Sequence, residues 1–148
     1  VRVAADFDEA GSEGFRPLLD FISGDNASKE KIAMTAPVLQ QAGAEDGQWL
    51  ISFVMPSGFD RESLPVPSSD VVNVSEQPPM LMAALQYRGG WSQSRYRQHE
   101  AKLMDAMSEL SLRACGESRW ARHDPPFMPW FMRKNEILIP LCDATVAS

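Results

Sequence analysis

The order of apolar patterns along this chain runs twice, and that repetition restricts the folds open to it. Val1-Arg2-Val3-Ala4-Ala5 alternates as a strand does. Residues from about Glu9 to Ile22 then carry Phe15, Leu18, Leu19 and Ile22 at the i, i+3, i+4, i+7 spacing of a helix face. Pro17 inside that span predicts a late start near Arg16 or a kink, because proline lacks the amide hydrogen a helix interior uses. Ser23-Gly24-Asp25-Asn26 predicts the end of the helix, with Gly24 suited to a left-handed cap. Strands are expected from Met34 to Val38 and from Trp49 to Met55, joined through a turn between Gly43 and Gly47.

Pro56 to Asp70 reads as an irregular connection, after which the order returns. Val71–Val74 and Met80–Tyr87 read as a hairpin around Glu76-Gln77-Pro78-Pro79. Ser92 or Ser94 caps a longer helix running to about Ala114 and closed by Cys115-Gly116. Tyr96, Leu103, Met107 and Leu110 form its apolar stripe. Strands at Trp120–His123 and Glu136–Leu141 complete the second half. The halves therefore read as β-α-β-β and β-β-α-β-β, a pseudo-twofold repeat of architecture with little identity between them. The first half is short of an opening strand partner, which would lie upstream of Val1. Residues 1–148 fit one α+β domain large enough for its own core.

Composition removes several function classes. A net charge of −6 argues against a general nucleic-acid binder, whose affinity rests on clustered Lys and Arg. No apolar run approaches the roughly 20 residues that cross a bilayer. Cys115 and Cys142 allow one disulfide, but composition favours two semi-buried free thiols. The two histidines and two cysteines lack zinc-site spacing, and there is neither a Gly-rich phosphate loop nor a G-x-S-x-G elbow. Asn26-Ala27-Ser28 and Asn73-Val74-Ser75 match the glycosylation pattern, which matters only after export. The start at Val1, without Met, reads as a processed or trimmed form. Acidic charge and free thiols suit the cytoplasm, and removal of a targeting segment would suit a plastid or another organelle, or export.

Between Ala121 and Glu136 the chain packs three prolines, three aromatics and two methionines into a loop, followed by the apolar strand Ile137-Leu138-Ile139. Loops face water and are normally polar, so this one either folds into the core or forms one wall of a site for a flat apolar ligand. Arg122, Arg133 and Lys134 flank it and would suit a ligand that also carries negative charge.

Four stretches appear in fixed order: Lys31-Ile32-Ala33-Met34-Thr35-Ala36-Pro37-Val38, Phe53-Val54-Met55-Pro56, Leu85-Gln86-Tyr87-Arg88-Gly89-Gly90-Trp91, and His123-Asp124-Pro125-Pro126 through Arg133-Lys134-Asn135-Glu136. Together they resemble the SOUL heme-binding family over nearly the whole chain, from about Ala5 to Leu141. The resemblance implies a pseudo-twofold α+β fold, a twisted sheet or distorted β-barrel flanked by two helices. It also implies reversible binding of heme or a related tetrapyrrole in a buffering or carrying role. The chain departs from the family at His123, where an aromatic is expected. Near the first helix only Arg16, followed by Lys29 and Lys31, supplies positive charge.

Heme asks for a broad apolar slot, a cation or two at its rim and often an axial side chain. Phe15, Leu18 and Leu19 are the candidates on the first helix, facing Phe127, Met128, Trp130 and Phe131 across such a slot; the competing reading makes all seven core or interface residues. Arg16, Arg133 and Lys134 are the rim candidates, with solvated charge or a structural hydrogen bond as the alternative. His123 is the leading axial candidate and His99 a lesser one, at the edge of its helix stripe, where a half-buried structural role explains it as well. Met34 and Met128 are softer alternatives. No pair of acid and base side chains stands out, so an enzyme is not expected. The alternative to a tetrapyrrole carrier is an interaction module that docks a protein partner through the 124–132 loop.

Overall fold

The computed structural model describes residues 1–125 and 127–142, so Pro126 of the Asp-Pro-Pro turn and residues 143–148 lie outside them. Among the described residues there are six strands and two α-helices. They fall into two compact units that divide after Gln77, each with three antiparallel strands and one helix. The class is α+β. The strand pairings leave the sheets open, so the expected alternative of a distorted barrel does not form among the described residues.

The first unit contains β1 (Arg2–Ala4), α1 (Phe7–Ile22), β2 (Val38–Ala42) and β3 (Gln48–Phe53). The central strand is β3, which pairs with β1 at Val3↔Trp49 and with β2 at Gln40↔Ile51. Helix α1 begins earlier than expected and continues through Pro17. The lost proline hydrogen bond is outweighed by a long buried face: Phe7, Ala10, Gly11, Gly14, Leu18, Phe21 and Ile22. This face is rotated from the stripe read in the sequence, because glycines and an alanine occupy its middle. Gly14 explains the shift. A Cβ there would fall 2.6 Å from Ile51 Cβ, so only a residue without a side chain lets the helix settle this close to β3.

Asn26 closes the unit below α1. Its Nδ2 donates to the carbonyls of Phe21 and Glu30, and its Oδ1 accepts from the Glu30 amide. The side chain is fully buried, so the first glycosylation pattern is inaccessible in the folded protein. Val71–Val74 is not a strand. Val72 is instead spent on the first unit's core, with Val74 packed against it, and this removes the hairpin read in the sequence.

The second unit contains β4 (Met82–Arg88), α2 (Gln93–Glu109), β5 (Arg119–Arg122) and β6 (Lys134–Pro140). Without the Val71–Val74 strand, the two halves match element for element as β-α-β-β. They also match in pairing: in each the last strand lies between the first and the middle one. Ser92 caps α2 by accepting from the Arg95 amide, and Tyr96, Leu103 and Met107 face inward as the periodicity indicated. Leu110 does not; it is the C-cap and is exposed. The helix stops at Glu109 because Ser111 turns left-handed (φ 56°), sending the Leu112 amide back to the Met107 carbonyl and its own amide to Ser108.

The cysteines are not free thiols. Cys115 and Cys142 are disulfide-bonded with their Cα atoms 4.8 Å apart. The pairing of Ala114 with Leu141, supported by Cys115 N–H to the Pro140 carbonyl and Cys142 N–H to the Arg113 carbonyl, brings them together. They stand 27 positions apart in sequence, so only strand pairing reveals their proximity.

Candidate functional site

The aromatic loop joins β5 to β6, whose register pairs Arg122 with Asn135 and Trp120 with Ile137. At its base the His123 amide donates to the Lys134 carbonyl, and the Asp124 carboxylate accepts from the Lys134 amide. Within it, Met128 N–H donates to Pro125 and Met132 N–H to Pro129, forming a 3-10 turn over Trp130–Met132. Two arginines hold it from the side. Arg133 Nε donates to the Met128 carbonyl at 2.9 Å, and Arg88 Nη1 to the Met132 carbonyl at 3.1 Å. Gly89 N–H bonds the Arg133 carbonyl, and buried Asn135 donates its Nδ2 to the Gly89 carbonyl. The backbone is thus tied inward.

The apolar side chains point the other way. Phe127 is 86% exposed, Trp130 57% and Phe131 59%; Met132 is exposed as well, and Met128 is half-buried. Such exposure means that these side chains are not core. Trp130 and Phe131 meet edge to face with ring centroids 5.8 Å apart. Guanidinium groups interleave with the tryptophans. Arg95 lies 5.9 Å from the centroid of Trp130, Arg133 4.1 Å from that of Trp91, and Arg122 between Trp91 and Trp120 at 5.2 and 4.3 Å.

His123 lies just beyond β5, half-buried, with its Nε2 against the Glu136 carboxylate. His99 on α2 is also half-buried. Its Nδ1 lies 2.7 Å from the Arg95 carbonyl and its ring stacks on Tyr87 at 3.8 Å. Burial pushes the Tyr87 phenol up to about 12, a rise moderated by Trp120 and the nearby Arg122 and Arg95. Tyr96 is raised too, first by burial and then by the Glu100 carboxylate. Among the described residues no three His, Cys, Asp or Glu side chains come together as a metal site.

Most of the remaining candidates belong to the first unit. Phe15 is half-buried and packs edge-on against Phe53 at 5.3 Å; Leu18 is committed to the core; Arg16, Leu19 and Met34 are exposed. Lys134 is exposed, whereas Arg133 is half-buried.

With that geometry described, the comparison with known families is decisive: the model of the SOUL heme-binding protein family matches residues 1–140. The chain belongs to the SOUL heme-binding protein family. It is also 26% identical over 142 residues to Heme-binding protein 1 of Xenopus laevis, a match covering 88% of this chain and 70% of that protein.

The SOUL motifs read in the sequence fall mainly at junctions of the fold. Thr35 donates its hydroxyl to the Val54 carbonyl, joining the first two of them within the first unit. The third supplies Arg88, Gly89 and Trp91, and the fourth supplies the loop that they hold. Arg88 and Arg95 were not among the candidate site residues. Arg88 reaches the loop because β4 pairs with β6 at Arg88↔Lys134, and Arg95 because α2 starts beside it. Neither relation has a local signal. The nearest clue to Arg88 is its position ahead of Gly89-Gly90, at the end of an apolar strand.

No helix among the described residues is long and apolar enough to cross a membrane.

Proposed function

We propose that the protein binds heme or a related tetrapyrrole non-covalently and reversibly, buffering or carrying it without turning it over. The supporting observation is the hydrogen-bonded aromatic loop, which presents Phe127, Trp130 and Phe131 outward beside cationic side chains. A macrocycle needs a broad apolar surface and cations for its carboxylates. Phe127, Met128, Trp130 and Phe131 suit the first need; Lys134, Arg95 and Arg133 suit the second, Arg133 acting from beside Trp91. On α1, Phe15, Arg16 and Leu19 are further candidate contacts, and buried Leu18 acts through packing. The name of the Xenopus laevis relative agrees with this reading.

This reading requires no axial histidine, although His123 could serve by exchanging its Glu136 partner, and His99, with Nδ1 at the Arg95 carbonyl, would offer Nε2. Apolar contact and charge therefore carry the affinity. The Cys115–Cys142 disulfide favours a non-reducing compartment over the cytosol.

Titration with hemin tests the reading. A shifted Soret band that saturates near a one-to-one ratio is expected, and metal-free porphyrin should bind comparably. An absent or unsaturable shift refutes the carrier. His123→Ala should leave the hemin spectrum unchanged; a changed ligand-field band would make His123 axial.

A further inference from the structure

The two units differ sharply in charge. Residues 1–77 contain five Lys or Arg against thirteen Asp or Glu, whereas residues 78–148 contain nine against seven. Three exposed cations of the second unit lie at the aromatic loop: Arg88 on the Met132 carbonyl, Arg95 beside Trp130, and Lys134 where the loop enters β6. The nearby carboxylates are engaged, Asp124 with the Lys134 amide and Glu136 with His123.

We propose that this loop is a membrane-docking tip that inserts Phe127, Trp130 and Phe131 into the interface of a bilayer carrying anionic lipids. Aromatic side chains favour the headgroup level, and neighbouring cations are drawn to an anionic surface. An inserted backbone segment must also satisfy its polar groups without water. This loop does so for much of its backbone in advance. The carbonyls of Pro125, Met128, Pro129, Trp130 and Met132 all accept internal hydrogen bonds, and Pro125 and Pro129 have no amide hydrogen to bury. The tip is therefore preorganised, and docking orders little that is not already fixed.

Docking uses the same loop side chains as the proposed tetrapyrrole binding, so the two would compete, and docking is tested without any tetrapyrrole present. The whole chain is sedimented with vesicles of phosphatidylcholine, alone or mixed with phosphatidylglycerol, while tryptophan emission is followed. Binding to the mixed vesicles, a blue shift and weakening by added salt are expected. The double variant Phe127→Ser/Phe131→Ser should lose roughly tenfold or more in partitioning, as expected for removal of buried apolar area. Its thermal unfolding should match the parent, since both side chains are exposed. Arg95→Gln with Lys134→Gln should weaken binding to mixed vesicles and abolish its salt dependence. The proposal is overturned by absence of binding, by equal binding to neutral vesicles, or by unaltered binding of the double variant. Self-association or capture of a protein through the loop, with no vesicle binding, also overturns it.

Discussion

Arg133 lies 4.1 Å over the ring of Trp91 while its Nε donates to the Met128 carbonyl. One guanidinium thus joins the loop to the turn after β4. The planar group stacks and donates at once, and a lysine cannot do both.

Arg133→Lys should therefore loosen the loop although charge is kept. A destabilisation of about 1–3 kcal/mol is expected from loss of a charged hydrogen bond and the stacking. Urea unfolding measures the first effect, and faster proteolytic cleavage between 125 and 132 reports the second. Unchanged stability and cleavage would mean that the loop holds itself.

Asn26 joins three backbone groups from a fully buried position. Asn26→Ala leaves the Phe21 and Glu30 carbonyls and the Glu30 amide without this partner. A loss of about 2–4 kcal/mol is expected in denaturant unfolding. The same burial predicts that exported protein carries no glycan at Asn26, which mass spectrometry of the secreted chain would show.

Both tyrosines of the chain are buried with raised ionisation, Tyr87 to about 12. The folded state therefore holds these protons longer than the unfolded state does. Stability from this source is complete below the ordinary tyrosine value near 10 and falls as pH rises through the folded value. Phenolate absorbance should consequently appear above the pH of free tyrosine and coincide with loss of near-ultraviolet circular dichroism. Titration near pH 10 in the folded protein would contradict the burial.

The Cys115–Cys142 link closes a loop of 27 residues that includes β5 and β6. Constraint of the unfolded chain gives about 3 kcal/mol. Adding a reductant should lower the urea midpoint, and Cys115→Ser with Cys142→Ser should lower it equally and remove the reductant's effect. A midpoint indifferent to reductant would show that the link contributes nothing.

Local pattern made much of this protein legible. Both helices follow from their apolar spacing, β3 and β6 from continuous apolar runs, and the outline of the loop from its prolines and aromatics. Four ordered motifs were sufficient to indicate the family. Tertiary structure decided everything that depends on residues distant in sequence. It rotated the buried face of α1 so that Gly14 meets Ile51, and sent Val72 to a core rather than a strand. It joined two cysteines that spacing left unpaired, and brought Arg88 and Arg95 to the loop. Above all it turned Phe127, Trp130 and Phe131 outward. Periodicity reports which face of an element is apolar, but a proline-rich loop has no period. Its side chains are aimed by the Arg88, Arg133 and Asn135 hydrogen bonds, and those exist only once β4, β5 and β6 are in register.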